Sequence, residues 1–60
     1  MIYYAYDENV WREHPDGALD IGLEGKWVPA VGVHTISEQD LDHMRQVSEQ
    51  DARRLLAEAP

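Results

Sequence analysis

Ser37-Glu38-Gln39-Asp40-Leu41-Asp42-His43-Met44-Arg45-Gln46-Val47-Ser48-Glu49-Gln50-Asp51 carries the tetrapeptide SEQD at both ends. Either the repeat marks two helix starts, or one helix shows the same acidic face twice. Ser37 is a good N-cap, with Asp40 three residues on in a capping-box pattern. Ile36 and Leu41 fill the two positions of a hydrophobic staple, so a helix starts here. Ser48 and Asp51 repeat the box, but Val47 and Ala52 make a smaller staple. No Gly, Asn or Pro ends a preceding helix before Ser48.

Eleven residues make almost three helical turns, which would turn both copies the same way. Leu41, Met44, Ser48, Ala52, Leu55 and Ala59 then form one stripe, flanked by Val47 and Leu56. The pattern favours a single helix within 37–59, from about Glu38 to Glu58 and roughly 30 Å long at ~1.5 Å per residue. The alternative is two helices kinked at Val47-Ser48.

Upstream, over 1–35, period-two patterning predicts short antiparallel strands. Ile2-Tyr3-Tyr4-Ala5-Tyr6 is rich in strand formers, with Ile2, Tyr4 and Tyr6 on one face. After Asp7-Glu8-Asn9, Val10 to Glu13 reads as a short second strand. His14-Pro15-Asp16-Gly17 has the chemistry of a type I turn. Leu19, Ile21 and Leu23 then alternate on one face. Glu24-Gly25 reads as a tight hairpin loop into Lys26-Trp27-Val28.

A two-residue loop sets Leu23 opposite Lys26, Ile21 opposite Val28 and Gly22 opposite Trp27. It would lay the indole over a glycine on the sheet's second face. Pro29 cannot donate to a ladder, so this strand is an edge or bulges there. The expected architecture is α+β: one domain over 1–60, an antiparallel meander of three to four strands with a C-terminal helix packed on one face.

At 60 residues, folding buries only roughly 60% of the surface that the unfolded chain exposes. There is no cysteine to staple the fold and no Phe. Tyr and Trp must therefore fill the core, or a second copy or partner must complete it. The longest apolar run, 27–33, is too short for a bilayer and is broken by Pro and Gly. No basic segment precedes a hydrophobic stretch at the N-terminus, so the expectation is a cytoplasmic protein.

Twelve acidic and five basic side chains give a net charge of −7. That balance excludes direct nucleic-acid binding, which needs clustered Lys and Arg, and disfavours anionic membranes. It suits a basic protein partner. The three histidines form no HxxxH or HExxH spacing, there is no GxSxG elbow, and the glycines match no phosphate loop. Neither an enzyme nor a bound metal or other cofactor is expected.

The candidate partner-binding residues are therefore acidic and aromatic. Glu38, Asp40 and Asp42 crowd the first turns of the helix, with only Arg45 nearby. Glu49 and Asp51 repeat the first pair about 16 Å along a continuous axis at ~1.5 Å per residue. They are partly neutralised by Arg53 and Arg54. Tyr3, Trp11 and Trp27 are expected on the sheet face away from the helix, as an aromatic patch beside acidic loops.

In size, acidity and lack of catalytic motifs the chain resembles small phage-borne inhibitors, including anti-CRISPR proteins that mimic DNA. That resemblance implies a docking protein that competes for a nucleic-acid-binding surface, working in the host cytoplasm if phage-borne. The alternative is a structural subunit or homodimer whose charge serves solubility.

Overall fold

The computed structural model describes residues 1–32 and 35–60, with Glu38 described by its backbone alone. The strand-forming N-terminal half makes two tight hairpins. β1 (Ile2–Tyr6) and β2 (Asn9–Glu13) pair antiparallel, with Ala5 opposite Val10 and Tyr6 opposite Asn9. Asp7-Glu8 is thus the two-residue loop between them.

β3 (Leu19–Leu23) and β4 (Lys26–Pro29) pair in the expected register, Gly22 opposite Trp27 and Leu23 opposite Lys26. Glu24 and Gly25 both take positive φ, 53° and 78°. Two positive φ values in a row match the twist of the flanking strands. Between the hairpins, Gly17 N–H donates to His14 O at 2.9 Å, closing the His-Pro-Asp-Gly turn.

The second half departs from the single-helix expectation. α1 is one turn, Glu38–Leu41, and α2 runs Glu49–Ala57. Between them Arg45–Val47 forms β5, paired antiparallel with β1 through Tyr3↔Val47 and Ala5↔Arg45. Both SEQD copies are genuine helix starts. Ser37 Oγ accepts from Asp40 N–H at 3.2 Å and Ser48 Oγ from Asp51 N–H at 3.1 Å.

The reason lies outside the segment. The free edge of β1 presents a row of backbone donors and acceptors, and three extended residues satisfy it. Once the chain is extended at Val47, Ser48 acts as a cap rather than a mid-helix serine competing with the backbone. Leu41 consequently leaves the apolar stripe and is 43% exposed.

The sheet has five strands, one more than expected, in the order β4-β3-β2-β1-β5, every neighbour antiparallel. α2 lies across one face. A side-chain carbon built on Gly22 would stand 2.8 Å from Leu56 Cδ1 and 2.8 Å from Val10 Cγ1. The glycine therefore admits the helix on this face. Ala5, Val10 and Ala52 are buried in this layer. Small residues at facing positions let α2 sit close.

By register, Tyr3, Arg12, Asp20 and Trp27 share that face, while Ile2, Tyr4, Trp11, Ile21 and Val28 point the other way. Trp11 and Ile21 are buried nonetheless. In the connection from β4 to β5, Ala30, Ile36 and Met44 are half-buried.

Candidate acidic interaction surface

Two acidic groups were legible in the sequence, and the fold treats them differently. Asp40 in α1 and Asp42 just after it are exposed, and neither makes an ion pair among the described residues. Glu38 lies in the same turn. Arg45, expected to shield Asp42, is carried onto β5 and is exposed.

Glu49 and Asp51 open α2, where the helix dipole favours anions. Arg53 Nη2 stands 3.6 Å from Glu49, and Arg54 Nη2 3.5 Å from Asp51. Tyr3 Oη donates to Glu49 Oε1 at 3.3 Å. These pairs are solvent-exposed and contribute about 0–1 kcal/mol each. They nevertheless reduce the negative potential that Glu49 and Asp51 offer outward. With β5 between the helices, the two groups do not share the face of one helix, and the ~16 Å axial spacing of a continuous helix does not arise.

A third acidic group is set by topology. In a meander, the β1–β2 and β3–β4 loops fall at the same end of the sheet, bringing Asp7, Glu8 and Glu24 there. α2 descends to that end, and Glu24 N–H donates to Pro60 O at 3.0 Å. Glu58, the C-cap of α2, joins them. All four carboxylates are exposed and without an ion pair among the described residues. Asp7, like Glu24, holds positive φ, at 55°. A depression of about 410 Å³ lies here, lined by Asp7, Glu8, Leu55, Glu58 and Pro60. Hairpin arithmetic alone would have placed Asp7 and Glu24 together, whereas the arrival of Glu58 depends on where α2 lies.

The aromatic patch does not form as expected. Trp11 is 6% exposed, an element of the core on the face away from α2. Tyr3 and Trp27 lie on the α2 side, half-buried, with ring centroids 6.2 Å apart and planes at 43°. Alternation decides this: Trp11 is one residue out of step with Arg12, which pairs with Tyr3.

The Arg12 guanidinium carbon stands 4.8 Å from the centre of the Trp27 ring. Arg12 Nε donates to Asp20 Oδ2 at 2.7 Å, and His14 Nε2 lies 2.6 Å from the same oxygen. Burial alone would raise the Asp20 pKa, but the hydrogen bonds and charges of Arg12 and His14 outweigh it and hold the carboxyl below its usual value. Tyr4 Oη donates to Glu13 Oε1 at 3.2 Å. Burial first, then the Glu13 charge and hydrogen bond, push the phenol up. Together these contacts form a structural brace on the sheet.

Among the described residues, no group of three or more His, Asp or Glu is placed to hold a metal ion. No helix among them is long and apolar enough to cross a membrane. Comparison with protein-family models, curated proteins and solved structures finds no match to this chain.

Proposed function

We propose that this protein is a non-enzymatic binding module that docks a negatively charged surface on a basic site of another protein. Where that site normally receives nucleic acid, the module acts as an electrostatic and steric competitor, as DNA-mimic inhibitors of the anti-CRISPR type do. Its place of action on this reading is the cytoplasm, that of the host if it is phage-borne.

One observation carries the reading. Asp7, Glu8, Glu24, Asp40, Asp42 and Glu58 are exposed without an ion pair among the described residues, whereas Arg12, Arg53 and Arg54 are already engaged by carboxylates. Charge left outward in this way steers association with a cationic surface and makes it salt-dependent. Asp7 and Glu24 sit in hairpin loops, and Asp40 in a capped turn, so little ordering entropy is lost when they are engaged. Glu49, Asp51, Tyr3 and Trp27 serve mainly within the fold on this reading, and Trp11 belongs to its core.

The test is binding to candidate basic proteins across a salt series, with DNA as competitor. Steep weakening with salt and displacement by DNA are expected, together with loss of binding when Asp40 and Asp42 are reversed to Lys with Glu38, Asp7 and Glu8. Unchanged affinity in the reversed variant would refute the reading.

A second reading, self-association, draws on Ile2 and Tyr6, which are 40% and 42% exposed on the face of β1 away from α2. Salt-insensitive dimerisation abolished by Ile2→Ser would favour it.

A further inference from the structure

We propose that the depression between the β1–β2 loop and the C-terminal end of α2 receives a lysine or arginine side chain of the basic partner, an inference that rests on the docking role above. Its volume of about 410 Å³ falls within the roughly 300–1,000 Å³ of ligand-sized pockets. Its lining is mixed in a particular way. Leu55 and Pro60 offer apolar surface, and Asp7, Glu8 and Glu58 supply carboxylates.

A long cationic side chain has the matching build, an apolar stem with the charge at its tip. Its methylenes would cover Leu55 and Pro60 while its charge meets the carboxylates. A purely apolar side chain would strip water from carboxylates without pairing them. A bare metal ion would leave Leu55 and Pro60 uncovered. The end of α2 adds negative potential of its own, since a helix dipole is negative at its C-terminus. Arg54, the cation of the last turn, stands against Asp51 rather than over the depression. The site is thus complementary in charge and in polarity to the tip and stem of one basic residue.

The experiment is an amide NMR titration of the full chain with hexa-arginine at low salt. It is repeated on a D7N/E8Q/E58Q variant and on a D40N/D42N variant. Asn tolerates the positive φ of residue 7, so the first variant keeps its hairpin, which a thermal melt verifies. Expected are shifts centred on Asp7, Glu8, Leu55 and Glu58, about tenfold weaker binding in the first variant and a smaller loss, about two- to threefold, in the second, whose carboxylates belong to the wider docking surface.

Shifts centred instead on Asp40 and Asp42, with the first variant binding as the parent does, would overturn the depression as the site and leave acidic docking standing. Absence of any salt-sensitive binding would overturn both.

Discussion

Gly22→Ala tests how the sheet and helix meet. The added carbon would lie 2.8 Å from both Leu56 Cδ1 and Val10 Cγ1, well inside the ~3.5–4.0 Å of comfortable carbon contact. Val10 is 0% exposed and β-branched in mid-strand, so it has no room and little rotamer freedom to yield. Leu56 is half-buried near the end of α2 and must move instead.

Overpacking of this kind costs about 1–3 kcal/mol. Alanine recovers about 0.5–1 kcal/mol through the lower entropy of the unfolded chain. The expected net loss lies between about 0 and 2.5 kcal/mol and is centred near 1 kcal/mol, against the ~3–9 kcal/mol that a domain of this length holds. At roughly 4–8 °C per kcal/mol, a loss near 1 kcal/mol lowers the midpoint by about 4–8 °C.

Urea titration followed by fluorescence of the buried Trp11 gives the value. The Leu56→Ala background supplies the control, because Gly22→Ala should cost markedly less once Leu56 is trimmed. A stabilising Gly22→Ala in the parent, or an identical effect in both backgrounds, would refute the packing of α2 on β2 and β3.

Other outcomes follow from local geometry. Ser48→Ala should destabilise by about 1 kcal/mol through loss of the α2 cap, and more than Ser37→Ala, which serves a single turn; were the two helices continuous, Ser48→Ala would stabilise, as paired chemical denaturations will show. Glu24→Asn should raise the thermal midpoint, because a left-handed conformation costs an ordinary L-residue about 1–2 kcal/mol and Asn less; a lower midpoint would contradict the two positive φ values of that loop. Asp20 has a depressed pKa in the folded state, so its contribution is complete above the unfolded carboxylate value, about 3.9, and is lost as pH falls through the folded one. Stability curves of the parent and Asp20→Asn, measured from neutral pH down to acid, should therefore converge as pH falls, and a constant gap would argue against the Arg12–Asp20–His14 cluster.

Local chemistry was legible residue by residue. Glu24-Gly25 announces a two-residue loop, and that loop dictates Gly22 opposite Trp27, because hairpin register is a matter of counting. The cap at Ser37 follows from a hydroxyl three residues before an amide it can reach, whereas Ser48 carries the same chemistry and becomes a cap only because β5 interrupts the helical stripe. Partial neutralisation of Glu49 and Asp51 follows from helical spacing to Arg53 and Arg54.

Beyond that reach, pattern misleads. Arg45-Gln46-Val47 fits a helical stripe well, but β1, some forty residues earlier, offers an unpaired edge, and backbone hydrogen bonding there outweighs helix propensity. Tyr3, Trp11 and Trp27 look alike in a sequence. Strand alternation and the side chosen by α2 make one of them core and set the others beside the helix. The carboxylates of Asp7, Glu8, Glu24 and Glu58 are scattered along the chain and are brought to one end of the sheet only because two hairpins and a helix end meet there. Turns, hairpin register and the Ser37 cap are short-range properties that sequence alone determined. Edge pairing, choice of face and convergence of charge depend on contacts between distant segments, and tertiary structure decided them.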